Sequence, residues 1–235
     1  MQNVLSELLL PALVPLGLTL KVALTATLGA FFAGVAAGFV LSRPGLSGRG
    51  LPGREVLDAL CTLPLVLPPT VIGYYLLVLF GRRGALGQLL QETLGVSLIF
   101  TWQGAALAAS VVAFPLVCKA ARTAFEGVDP NLEHAARSLG AGELGVFLRV
   151  SLPLAWRGVL AGTMLALARA MGEFGATLMI AGSLPGRTQT LSLAVYEAVQ
   201  AGRDAEAAFL VLLVSALCVT LLLASGRFLK ASPTH

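Results

Sequence analysis

Charge is scarce in this sequence. Asp, Glu, Lys and Arg make up 12% of its 235 residues, against about 25% in soluble domains, so the chain cannot cover a water-facing surface in the usual way. Histidine is almost missing: only His134 and the terminal His235 occur. This leaves little material for a histidine-ligated metal centre, or for a Ser/His/Asp or Cys/His nucleophile. Cys61, Cys118 and Cys218 lie in or at the ends of apolar runs without C-x-x-C spacing, where a thiol packs as a small hydrophobe. The three lysines, Lys21, Lys119 and Lys230, are followed by Val, Ala and Ala. A phosphate-binding loop needs Ser or Thr there, so no Walker A motif is present. Gly140-x-Gly142-x-x-Gly145 formally matches a dinucleotide fingerprint, yet no strand precedes it. The chain reads as a non-enzyme that binds no cofactor and no metal itself.

What is present is long apolar sequence: 57% of residues are hydrophobic and mean hydropathy is +0.86. Runs over 18–41, 56–80, 96–118, 159–182 and 207–226 each approach the roughly 20 residues that carry a helix across a bilayer. Strand-like alternation is missing, which argues against a barrel. The expectation is an all-α integral membrane protein with one transmembrane domain over 18–230 and about five spans. Residues 1–17 hold no Lys or Arg, unlike the basic start of a cleavable signal. Pro11 and Pro15 predict a broken lead-in at the outer surface.

The longest polar interval, within 121–155, predicts a short helix. Asp129-Pro130-Asn131 offers a cap and a first-turn proline, and Gly140 can end the helix in the left-handed region. About two turns remain, enough for a docking peg or for a plain solvated loop. With this interval inside the cell, ten basic residues fall on inner segments (Arg43, Arg49, Arg54, Lys119, Arg122, Arg137, Arg149, Arg157, Arg227, Lys230). Four fall on outer ones (Arg82, Arg83, Arg187, Arg203). Positive charge accumulates on the cytoplasmic side, which predicts the N-terminus out and the C-terminus in. The charges are dispersed among apolar spans, which argues against nucleic acid as a partner.

Two apolar runs carry unusual residues. Leu63-Pro64-Leu65-Val66-Leu67-Pro68-Pro69 interrupts the second run with three prolines. A helix broken at membrane depth is tolerated where protein or a water-filled path satisfies the freed backbone groups, so Pro64, Pro68 and Pro69 read as a pathway lining or a packed kink. Arg169 and Glu173, four residues apart in the fourth run, read as an intrahelical ion pair or as functional charges. Gly34-x3-Gly38 and Gly158-x3-Gly162 read as close helix packing.

His134-Ala135-Ala136-x3-Gly140-x9-Val150-x-Leu152-Pro153 resembles the EAA loop of ATP-binding-cassette importer permeases. The family's usual Glu falls on His134, with Glu133 one place earlier, so either side chain could meet the partner. Further segments are similar to the molybdate-type permeases of that class, in the family's order: Asp58–Gly73, Ala124–Gly140, Ser151–Gly162, Arg169–Thr177 and Gly182–Tyr196. Sulfate and tungstate permeases share much of this pattern. The resemblance implies a type I importer fold in the bacterial cytoplasmic membrane, and an ATPase-coupling loop carrying Glu133, His134, Ala135, Ala136, Gly140, Leu152 and Pro153. It also implies a homodimer, two ATPase subunits that use the ATP, and an extracytoplasmic oxyanion-binding protein. A carrier driven by an ion gradient is the competing class; the inverted repeats common there are not evident.

Overall fold

The computed structural model describes residues 2–43 and 53–230. The Gly/Pro-rich inner turn with Arg49 falls on 44–52, outside the described residues. Helix α1 (Gln2–Ser42) is followed by α2 (Arg54–Val66), α3 (Pro69–Phe80), α4 (Ala85–Leu94) and α5 (Trp102–Glu126). Then come α6 (Pro130–Ser138), α7 (Glu143–Val146), a π-helical turn (Phe147–Ser151), α8 (Leu152–Met171), α9 (Gly175–Ala181), α10 (Leu191–Gln200) and α11 (Asp204–Lys230). Among the described residues, four helices are long and apolar enough to cross a membrane, and five if the bent pair α2–α3 counts as one span.

Helix α5 is the axis of the bundle. Its Gly104, Ala105, Ala108, Ala109, Ala113 and Ala121 are all buried, and these small residues let neighbours approach backbone to backbone, where lipid supplies no hydrophobic drive. On one side, α1 runs parallel to it: a Cβ on Gly34 would lie 2.7 Å from the Val117 Cβ, and one on Gly38 2.8 Å from the Cys118 carbonyl. On the other side α8 runs antiparallel, with a Cβ on Gly162 falling 2.2 Å from that of Ala120. Both small-x3-small pairs are therefore contact surfaces. Gly162→Leu is expected to wedge α8 off α5 and cost about 1–3 kcal/mol, read as a lower Tm of the purified protein. Gly17→Ala, where nothing lies within 4 Å, should leave Tm unchanged.

Several elements differ from expectation. The lead-in is not broken, because α1 runs through Pro11 and Pro15. Ala12 packs with Leu191, Ala194 and Leu210, and Thr19 donates to the Pro15 carbonyl at 2.8 Å. Unwinding would strand more backbone groups than the prolines already do. Residues 81–95, which lie between two of the apolar runs, are not all loop: they contain α4. The helix of the third run, α5, starts at Trp102 rather than at 96, capped by the Thr101 side chain. The fourth run is not one helix to residue 182: it stops at Met171 and restarts at Gly175.

Candidate functional site

Helix α6 is capped at both ends by local sequence. The Asp129 carboxylate accepts from the Asn131 N–H at 2.9 Å, and Pro130 occupies the first turn. At the other end Gly140 adopts φ +86°, its N–H bonding the Arg137 carbonyl while Ala141 N–H reaches Ala136. That paired closure is a Schellman motif, and it requires a left-handed residue where glycine stands.

One side chain fixes the peg to the body. The Glu133 carboxylate, with a side chain 12% exposed, receives Arg43 at 2.5 Å and at 2.8 Å. It also accepts from the Ser151 hydroxyl at 2.6 Å, with Arg137 at 3.8 Å. Charge-assisted, bidentate contacts of this kind are the strong ones. The Arg43 guanidinium stacks over Phe39, which packs edge-on against Phe125 and Phe147. Three helical segments thus meet under α6. Glu133 turns inward, whereas His134 and Ala135 are exposed. The outer face continues through Leu132, Leu139 (89% exposed) and Leu144. Arg137 also bonds Glu143 at 2.7 Å, and that carboxylate raises the guanidinium pKa above its ordinary value.

From Glu143 the chain stays helical to Met171, 29 residues in all. Pro153 lacks an N–H and its ring would press on the carbonyl four residues back. The π turn immediately before it widens the helix there, with Leu152 N–H closing onto the Phe147 carbonyl. Ser151, fully buried in this turn, is the Glu133 ligand. Leu152 and Pro153 therefore join the peg's anchor to α8.

The second cluster lies where two broken spans meet. Leu67 and Pro68 each precede a proline, a position that disfavours the α region, and both are extended with ψ of 141° and 136°. The axes of α2 and α3 consequently differ by 111°. Pro64 sits within α2, away from the break itself. The other break is Gly172-Glu173-Phe174, between α8 and α9. Gly175 is pressed against Pro69 and Thr70, where a Cβ would lie 3.1 Å from that of Pro69, and Gly73 is pressed against Ala176 and Met179. Glu173 is thus not inside a helix, contrary to expectation. It follows the end of α8, where its carboxylate pairs with Arg169 at 2.7 Å and accepts from the Ala176 N–H at 3.0 Å, at the start of α9. Its side chain is 2% exposed against 34% for Arg169.

Sequence reasoning missed Arg43, Ser151 and a second ionic tie, in which Asp58 bonds Lys119 at 3.0 Å and Arg122 at 2.9 Å. The signal available was a lone acid on a short, otherwise basic segment, which calls for a cation elsewhere. Arg137 at i+4 was legible; Arg43, ninety positions away, was not.

An all-helical body of four or five apolar spans, with adjacent broken spans and a polar peg, is the fold of a type I importer permease. It superposes on the inward-facing MetNI methionine ABC transporter with a TM-score of 0.73 over the full length of both chains, at 17% identity. Residues 30–232 match the family described as the inner membrane component of binding-protein-dependent transport systems, and the chain belongs to that family. It is 47% identical over 182 residues to the molybdenum transport system permease protein ModB of Escherichia coli strain K12, covering 77% of this chain and 80% of that one. Similarity to the sulfate transport system permease protein CysW of Synechococcus elongatus is lower. There the identity is 39% over 165 residues, covering 70% of this chain and 56% of that one.

Proposed function

We propose that this chain forms the membrane path of an ATP-driven molybdate importer. It works as a homodimer above two separate ATPase subunits, in the cytoplasmic membrane, and receives the anion from an extracytoplasmic binding protein. The observation that carries the choice of ion is the molybdenum-permease relative, which matches more of the chain at higher identity than the sulfate relative does. The orientation in this reading, with α6 in the cytoplasm and the N-terminus outside, is supported by the distribution of basic residues.

In this reading the outward face of α6, with His134, Ala135 and the exposed leucines, enters a groove on the ATPase. Small Ala135 and Ala136 permit close approach, and Glu133 transmits the contact inward rather than touching the partner. ATP binding draws the two pegs together; Ser151 and Pro153 carry that displacement into α8. The far end of α8 is the Gly172–Phe174 break, packed on the Pro68–Pro69 break of the second span. A change of angle there opens or closes the path. Arg169 spends one guanidinium N–H on Glu173 and keeps others for a passing divalent oxyanion. Glu173 offsets the charge, so that the anion is held weakly enough to leave.

The test is uptake by vesicles holding the reconstituted complex of permease, ATPase and binding protein. ATP-dependent molybdate uptake should be inhibited strongly by tungstate and weakly by excess sulfate. Preferential sulfate transport would replace the molybdate reading, and uptake driven by an ion gradient without ATP would overturn the class.

A further inference from the structure

We propose that a cleft at the Trp102 end of the bundle, between α1 and the turn before α10, binds the phosphodiester headgroup of an anionic phospholipid. The cleft has a volume of about 300 Å³ and is lined by Lys21, Arg187, Trp102, Gln103, Leu18 and Phe100. No acidic side chain lines it, and neither cation has a carboxylate partner among the described residues. The Lys21 ammonium rests 3.7 Å from the centre of the Trp102 ring, which orients it without neutralising it. Arg187 stands on an exposed turn, presenting a planar fork suited to two phosphate oxygens. The lining thus combines cationic and hydrogen-bonding groups with the apolar Leu18 and Phe100.

The same charges would attract any tetrahedral oxyanion, so the choice of a lipid comes from α1. Leu24, Leu28 and Phe32, three, seven and eleven residues beyond Lys21, are each more than half exposed. These spacings place them on one face, a stripe of about 16 Å, which is close to half of a ~30 Å hydrocarbon core. From Lys21 to Ser42 the helix covers about 32 Å, close to the whole core. Lys21 therefore stands at headgroup level, directly above an apolar track one leaflet long, with Trp102 beside it as an interfacial ring. A lipid fits both parts: its phosphate lies between the two cations and its acyl chain along the stripe. A free ion would use only the first part.

Native mass spectrometry of the full chain, purified in mild detergent with phosphatidylglycerol or phosphatidylcholine of matched chains, tests this. Wild type should retain phosphatidylglycerol over phosphatidylcholine by roughly tenfold, given the attraction of each basic side chain near an anionic surface. Lys21→Gln/Arg187→Gln should bring the two lipids to parity, and Lys21→Arg should keep the preference. Arg187→Gln alone, on a turn where folding is not at stake, should lower it about threefold or more. Equal retention by wild type, or an unchanged preference in the double variant, would falsify the site. Inorganic phosphate at millimolar concentration should not displace the lipid; displacement would assign the cleft to a soluble oxyanion and overturn the lipid reading.

Discussion

Glu133→Ala is expected to insert normally in the membrane and yet lose nearly all uptake. The carboxylate gathers Arg43 and Ser151 at hydrogen-bond distance and Arg137 within ion-pair range, so its removal unties α6 from α1 and from the start of α8 together. Hydrogen bonds to a charged group contribute about 1.5–3 kcal/mol, enough to shift the seated peg toward unseated by roughly tenfold to a hundredfold. Uptake by the reconstituted complex should fall by a similar factor, while ATP hydrolysis continues without transport. His134→Ala removes only an exposed contact and should have a several-fold smaller effect. Were the two variants equally impaired, or Glu133→Ala within twofold of wild type, Glu133 would not be the internal tie.

Arg169→Ala should be the most damaging single change in the membrane interior. It leaves the Glu173 carboxylate, 2% exposed, without its counter-charge. Breaking a buried pair from one side costs about 3–5 kcal/mol, and the expected result is a large drop in Tm or in the yield of folded protein. Because Glu173 also accepts from Ala176 N–H, the informative second change is Glu173→Gln. That substitution keeps the acceptor while removing the charge. Arg169→Ala/Glu173→Gln should therefore recover most of the lost stability. Its uptake is expected to stay below about a tenth of wild type, since one guanidinium–anion contact of 1.5–3 kcal/mol is then missing. Full recovery of uptake would reduce the pair to a structural tie and remove Arg169 from the path.

The spans were legible because bilayer thickness imposes a run length that nothing else in a chain of this composition explains. The short helix α6 was legible too. Asp129, Pro130 and Gly140 are local signals whose geometry depends on neighbours a few residues away. The continuity of α1 was not, since two prolines look like a break until the packing of Ala12 on α10 and α11 is seen. The break before α9 was hidden for a related reason. Gly172-Glu173-Phe174-Gly175 sits in an apolar stretch of full span length, and hydropathy does not register a missing turn. Glycines flanking a lone acid were the available clue. The inward turn of Glu133 lay furthest from view, since its partners come from the end of α1 and from a π turn that Pro153 helps to set.

In the proposed mechanism, the continuous helical stretch from Glu143 to Met171, π turn included, acts as a lever. Its 29 residues span about 44 Å, with the Ser151 anchor near one end and the Arg169–Glu173 joint at the other. A tilt of only about 5° about Ser151, which lies about 30 Å from Met171, would swing that far end through roughly 2.5 Å. Beyond the joint the α9 segment is gripped by α3, so that swing is delivered as shear between the two kinked spans. In the proposed importer, a small closure of the ATPases would thus reach the two kinked spans as a displacement that admits or refuses an ion.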